Sequence, residues 1–388
     1  MNEFSIKNLI TFQKTPLNLL VAVITVLLLG AFVGGAVYFF LHGHHAFNVT
    51  RQHPWGLLIS MYVFFVVSST GLCIISSIGH VFGIKEFQQI GKRAIAGAII
   101  TLLSGFAVIA LEVGHPVRML IYNVLTPGLT SAIWWMGTLY GIYLVFIMFE
   151  FFFLTVKVNH KWSKIFGIGG LLAGLAAHSN LGAVFGFLIS RPSANGVFYP
   201  VYFILSAMIT GCYLIYLIYG FKYKNNYPAH VVPMLKKLNK ILGMLLGVLI
   251  FFEAWKIITA LYGDMPERAE TIFHVIQSPT FILGEVLLGM LIPFFIILFS
   301  NAEAIKPMVY ASLTGMIGIF FMRYDLVHDT LIYPMDMLKR SEYQLPPTFV
   351  EYFPSATEFA IGFGGIGITL FLFYVAEKLF NLDDNGEH

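Results

Sequence analysis

Residues 55–82 read WGLLISMYVFFVVSSTGLCIISSIGHVF, an apolar run longer than the ~20 residues needed to cross a bilayer, and this run decides the fold. Comparable runs fall near 17–41, 95–113, 131–156, 165–189, 199–221, 238–262, 273–299, 307–323 and 357–380, which predicts about ten transmembrane helices. Composition agrees: 58% of the 388 residues are hydrophobic and 11% charged, far from the balance of soluble domains. The expected fold is an all-α polytopic membrane protein whose solvent is the lipid bilayer. The net charge of +3 reads as a topology signal, with no nucleic-acid partner implied.

The same run has an echo. Tyr62 is followed by Thr70-Gly71 and Cys73, and Tyr202 by Thr210-Gly211 and Cys212, an offset of about 140 residues that also carries Glu112 to the neighbourhood of Glu253. An offset of four helices is even, so both copies point the same way, as in parallel repeats about an axis along the membrane normal. The expected architecture is one integral membrane domain over 1–388. Two four-helix bundles, helices 2–5 (55–190) and helices 6–9 (199–323), are flanked by helices 1 and 10. Chance likeness among glycine-rich helices is the alternative, since Gly71, Gly79, Gly182, Gly186 and Gly211 also suit plain close packing.

The first run is too long for a secretory h-region and lacks a small-residue cleavage site, so it reads as a retained anchor. Segments before helix 1, after helices 2, 4, 6 and 8, and after helix 10 hold fifteen of the 23 Lys and Arg; the opposite loops hold seven, and Lys256 lies inside helix 7. This asymmetry places both termini in the cytoplasm, with Lys222, Lys224, Lys236, Lys237 and Lys240 the strongest group. Cys73 and Cys212 are the only cysteines, too few for an iron–sulfur cluster of this chain's own or for a disulfide framework. Asn48-Val49-Thr50 fits a glycosylation sequon but reads as coincidence in a chain of prokaryotic character.

Against this background the ionisable residues inside apolar runs stand out, because each costs at least ~3 kcal/mol at the bilayer centre and so marks a proton path, ion path or ligand site. They are Glu150, His178, Glu253 and Glu285. His178, in Ala176-Ala177-His178-Ser179-Asn180, can pass a proton near neutral pH or hydrogen-bond a quinone carbonyl; the competing reading is a satisfied packing histidine. Glu253 and Lys256 are three apart on one helix face and able to pair. Ordered by depth from the cytoplasm, Glu150, then Glu285 and His178, then Glu253 with Lys256 form a discontinuous ladder. At the outer boundary, His53-Pro54-Trp55-Gly56 opens helix 2 as a capped start with an aromatic anchor or as part of a site. Glu112-Val113-Gly114-His115-Pro116-Val117-Arg118 ends helix 3 with an acid, a histidine and an arginine close together. Arg323 closes helix 9, as a headgroup anchor, partner contact or ligand, and Glu358 opens helix 10 as a dipole-favoured acid.

Taken in order across ten helices, these residues resemble the NrfD/PsrC/HybB family of quinone-reactive membrane subunits. The likeness is carried by Pro54-Trp55-Gly56, Ser68-Ser69-Thr70-Gly71, Glu112 to Pro116, His178-Ser179-Asn180-Leu181-Gly182, Glu253, Glu285 and Tyr352-Phe353-Pro354. It is strongest to the ten-helix branch, to which the short His42-Gly43-His44 segment also points. The resemblance implies menaquinone or ubiquinone bound near the outer face. It also implies a ferredoxin-like iron–sulfur subunit docked there, further catalytic or cytochrome subunits, and a prokaryotic inner-membrane location. By that likeness His178 and Glu253 assist quinone protonation, Glu285 and Glu150 connect to the cytoplasm, and Trp55, Tyr62, Glu112, His115, Arg118 and Arg323 line the ring pocket and outer rim. The family turn commonly has Asp where Glu112 stands and Arg where His115 stands, and Trp134-Trp135 replaces an acid that some members carry early in helix 4. Two rivals remain: a proton-coupled secondary transporter, against which prolines at helix ends speak, and a haem b carrier, for which His80 and His178 lie at ill-matched depths while His42, His44 and His45 stay open as ligands of a haem near the outer surface. Nothing in the sequence suggests a metal site.

Overall fold

In hydrocarbon every backbone N–H and C=O must find its partner inside the protein, and an apolar run meets that demand by winding into a helix. The computed structural model describes residues 16–156, 160–191, 193–224, 226–263, 265–334, 349–380 and 382, which hold helices and no strand. The long helices among them are α1 (Pro16–His42), α2 (Leu57–His80), α3 (Gly91–Glu112), α4 (Ala132–Val156), α5 (His160–Gly186), α6 (Phe198–Tyr223), α7 (Val231–Tyr262), α8 (Thr280–Leu291 running on through Ile292–Phe299), α9 (Lys306–Leu331) and α10 (Ala356–Leu379). Nine candidate membrane spans occur among the described residues; α9, which carries Arg323, Asp325 and Asp329 toward its end, is not one of the nine.

Three boundaries differ from the sequence expectation, each for a local reason. Helix 9 does not stop at 323 but continues to Leu331, because Arg323 and Asp325 turn inward and are buried rather than ending the helix in water. The chain beyond the helix therefore begins only after Leu331, and residues 335–348 lie outside the described residues. Helix 8 starts at Thr280, not 273: a separate short helix, Pro266–Val275, precedes it, and Pro279 occupies the N-cap. That shift moves Glu285 from mid-helix to the first two turns of α8. Of the basic residues used to assign topology, Lys7, Lys14, Lys157, Lys339 and Arg340 lie outside the described residues. The end of the molecule holding the α3–α4 and α5–α6 connections is called the outer end below, after the Lys/Arg asymmetry.

Helix α2 is the hub, with 89% of its most apolar window buried, and it packs against α3, α5, α6, α9 and α10. Around it α4 lies on α5 and α8 on α9, while α1 leans on α10 at the edge with only 6% of its window buried. At the α2–α6 crossing the backbones touch: a Cβ on Gly71 would strike the Ala207 carbonyl and the Gly211 nitrogen, and one on Gly211 would strike the Gly71 carbonyl. Only glycine permits that approach, as small-residue packing in membranes requires. Prolines are not confined to helix ends as expected, since Pro293 sits inside α8. It offers no N–H to the carbonyl four residues back. The Tyr213 hydroxyl of α6 donates to that carbonyl, Gly289 O, at 2.9 Å. The same helix winds in wide i→i+5 turns over Thr280–Leu291, the stretch that contains Glu285, and such turns recur at functional sites.

Candidate functional site

Helix α4 buries one narrow stripe, Tyr140, Tyr143, Ile147 and Glu150, at the spacing of a helix face turned to the core. Ten residues at 1.5 Å each put about 15 Å between the first and last of these along the axis. Tyr140 Oη lies 2.9 Å from His178 Nδ1 on α5. His178 is 0% exposed; its Nε2 makes no hydrogen bond of standard geometry, and the Phe203 backbone lies near the ring. With the phenol donating to Nδ1, Nε2 keeps its N–H and presents a donor to an incoming oxygen. Tyr143 donates to Ser69 O and its hydroxyl lies 3.1 Å from Ser69 Oγ. Glu150 sits against Gly167 and Gly170 of α5 with neither carboxyl oxygen partnered. Ile147 leaves an apolar gap between Tyr143 and Glu150.

An aromatic file leads from the outer end to this histidine. Half-buried Trp55 stands edge-on to Phe185 at 5.5 Å, Phe185 is 6.0 Å from Phe203, and Phe203 is 5.4 Å from the His178 ring. Tyr62 closes the other side, edge-on to Tyr140 at 6.4 Å. Four rings and a histidine form a largely buried apolar file with one polar end.

Arg323 also meets Phe203. Its guanidinium stacks 4.6 Å over that ring and bonds Ser206 Oγ, while Nε and Nη1 have no partner and the residue is 0% exposed. Nearby, Tyr202 of α6 donates to Glu285 Oε1 of α8 at 3.0 Å, and Glu253 of α7 pairs with Lys256. Lys256 lies 5.8 Å over the Tyr202 ring. A cavity of about 30 Å³ opens among Tyr202, Lys256, Glu285, Asp325 and Asp329.

The outer cap is a third polar group. His53 Nε2 lies 3.1 Å from His328 Nδ1, and the His53 ring stacks on Tyr352 at 4.3 Å. Tyr352 bonds Glu358, which also receives Asn48 N at 3.0 Å and caps α10 in a capping box with Ser355. Arg191 ties the cap down by donating to Tyr333 O and Gln52 O. Burial first, then the neighbouring His328, holds the His53 pKa down from 6.5 to about 4. His53 is thus neutral in the folded chain, and between pH 6.5 and about 4 the unfolded chain binds more protons. Stability is expected to be lost as pH falls through that window, read as a declining melting temperature. His53→Gln should flatten the decline, and an undiminished slope in that variant would assign it to other groups.

The structure brings His178, Tyr62, Trp55 and Arg323 around Phe203 and Tyr140, and joins Glu253 to Lys256 as their spacing anticipates. It does not gather the helix 3 turn. His115 and Arg118 are exposed, Arg118 stacks 5.7 Å over Tyr122, and no ion pair links it to Glu112 among the described residues. Gly114 makes the turn at φ +69°, packed against His44. Arg323 is not at the rim, and Glu285 is level with Glu253 near the outer end rather than a step toward the cytoplasm. Sequence reading missed Tyr140, Asp325 and Asp329 as site residues. Tyr140 gives no signal among 19 tyrosines, whereas the aspartates could have been found by continuing helix 9 through Arg323.

A family model described as polysulphide reductase, NrfD, matches residues 45–334, a range that takes in α2 through α9. Among curated proteins the chain is similar to a selenate reductase subunit of Mesobacillus selenatarsenatis, 26% identical over 377 residues covering 85% of this chain and 86% of that one. It is also similar to the Hdr-like menaquinol oxidoreductase integral membrane subunit of Archaeoglobus fulgidus, 24% identical over 348 residues covering 86% of each.

Proposed function

The chain belongs to the polysulphide reductase NrfD family, and from that premise we propose that it is the membrane subunit of a respiratory oxidoreductase. In this reading it binds a menaquinone or ubiquinone headgroup toward the outer end, in a prokaryotic cell membrane with both termini cytoplasmic. The printed names of its relatives, one a menaquinol oxidoreductase subunit and one a selenate reductase subunit, support that class. The observation that carries the headgroup assignment is the buried His178 Nε2, a polar atom with no hydrogen bond of standard geometry at the end of an aromatic file. A buried donor left unpaired costs about 1–3 kcal/mol, and a quinone carbonyl would satisfy it.

Quinone supplies a two-electron couple whose two protons must be delivered or taken away at the ring oxygens. His178 holds one such proton at Nε2, and the Tyr140 phenol fixes the imidazole tautomer through Nδ1. Trp55, Phe185 and Tyr62 orient the ring and exclude water. Tyr143, Ser69 and Glu150 continue the polar stripe toward the inner end, with Ile147 as its apolar gap. In this reading electrons reach the ring from an iron–sulfur partner docked at the outer end, since the chain has only two cysteines.

The bundles 55–190 and 199–323 are read here as two copies of one unit. Two contacts support it: Gly71 meets Gly211 reciprocally, and each matched tyrosine reaches the third helix of its own bundle, Tyr62 to Tyr140 on α4 and Tyr202 to Glu285 on α8.

The test is titration of the intact complex, purified through this chain, with a fluorescent quinol analogue. Saturable quenching that weakens in Trp55→Leu is expected. An absence of saturable quenching, or quenching indifferent to Trp55 and His178 alike, would remove the quinone reading.

A further inference from the structure

We propose that the second bundle holds a proton-binding site of its own, centred on Asp325 and separate from the His178 site. Its walls come from five elements. Helix α6 gives Tyr199 and Tyr202, α7 gives Lys256, α8 gives Glu285, and α9 gives Asp325 and Asp329; just behind this lining Glu253 pairs with Lys256, and Arg323 lies over Phe203. The short helix Pro266–Val275 covers the cavity from the outer end and contributes Thr271. Asp325 is 3% exposed and lines the cavity; the Thr280 hydroxyl of α8 is the one hydrogen-bonding side chain near it, and neither carboxyl oxygen makes a hydrogen bond of standard geometry.

Charge decides what the site takes. Fully ionised, Glu253, Glu285, Asp325 and Asp329 face two inner cations, Lys256 and Arg323, a net charge of minus two inside a membrane protein; Arg268 of the covering helix, half-buried, acts on Tyr199 from the edge. Uncompensated charge in that setting costs several kcal/mol per ion. Something positive must enter. No group of three or more His, Cys, Asp or Glu among the described residues stands close enough to hold a metal ion, so the carboxyls are too dispersed for a metal and are suited to protons. A cavity of about 30 Å³ accommodates a water or two, since one water needs about 10–15 Å³. Water there would bridge Asp325 to its neighbours and let protons redistribute. The site therefore binds up to two protons, with water as the ligand that connects the carboxyls.

Arg323 marks its boundary. The guanidinium lies over Phe203, whose ring also contacts His178, so a fixed cation stands between the second-bundle carboxyls and the histidine. A fixed cation raises the cost of passing a proton across that point, which keeps the two sites separate.

The experiment uses the intact complex without quinol, treated at neutral pH with dicyclohexylcarbodiimide, which adds to protonated carboxyl groups in apolar surroundings. Peptide mass spectrometry locates the adduct, and infrared spectroscopy follows the carboxylic-acid C=O stretch. Modification is expected within Asp325, Asp329, Glu253 or Glu285, with one C=O band lost in Asp325→Asn and the labelling unaltered in His178→Ala. Absence of label from all four, together with an unchanged band pattern in Asp325→Asn, would overturn the proposal. If Asp325→Asn fails to assemble, Asp329→Asn and Glu285→Gln carry the same band test. The outcome is independent of the quinone reading: label or band loss without quinol binding sinks the quinone reading alone, and quinol binding with neither label nor band loss sinks this proposal alone.

Discussion

Replacing His178 by glutamine is expected to lower quinol-dependent turnover of the intact complex by about 100- to 10,000-fold, the range contributed by a positioned proton-transferring side chain. Glutamine keeps a hydrogen-bond donor near Nε2 but cannot titrate. The loss should therefore fall on kcat, with KM for the quinol little changed, because binding is retained while proton transfer is not. His178→Ala removes the donor as well and should raise KM in addition. Tyr140→Phe tests the positioning role. It deletes the 2.9 Å contact to Nδ1, worth about 1 kcal/mol for a neutral hydrogen bond, so an effect of about fivefold is expected. A His178→Gln enzyme with wild-type kcat would show that the proton leaves the ring by another group, and the buried Nε2 would then be a packing feature.

The membrane helices were legible because the constraint that makes them is severe: about 20 apolar residues and an internally satisfied backbone leave little choice. Legibility failed where polarity and helix ends part company. Arg323, Asp325 and Asp329 look like the polar end of helix 9, yet the helix runs on to Leu331 because two of the three are buried in a helix that packs on α6 and α8. The error at helix 8 has the opposite sign, since the amphipathic Pro266–Val275 segment merges with the apolar run that follows it. For the site, ionisable residues in apolar runs were visible one by one, and Glu253 with Lys256 could be paired from spacing alone. Which helices face each other is a tertiary fact that one sequence does not carry. Hence Tyr140, set by α4 packing on α5, was invisible, and Glu285 was given the wrong depth. Glu112, His115 and Arg118 show the converse: adjacency in sequence around a Gly-Pro turn left His115 and Arg118 exposed and apart from the buried cluster.

The largest structural effect is expected from Gly71→Val. At this position the added atoms meet backbone, the Ala207 carbonyl and the Gly211 nitrogen, not the end of a flexible side chain. No rotamer relieves the clash, so α2 and α6 must separate. Overpacking in a close-packed interior typically costs about 1–3 kcal/mol, and a backbone-on-backbone contact belongs at or above the top of that range. Because α2 also contacts α3, α5, α9 and α10, its displacement spreads to the aromatic approach and the cap, and loss of both thermal stability and quinol binding is expected. The two-copy reading sharpens this into a paired result. If Gly71 and Gly211 are equivalent residues meeting near a pseudo-twofold axis, Gly211→Val should cost about as much as Gly71→Val. The two together should cost less than their sum, since both push apart the same pair of helices. Gly34→Val provides the control, for nothing lies within 4 Å of a Cβ there, and its melting temperature should match the parent. Additive costs from Gly71 and Gly211, or a mild effect at one and a severe effect at the other, would mean the crossing is not symmetric and that the second bundle reached its resemblance to the first by small-residue packing alone.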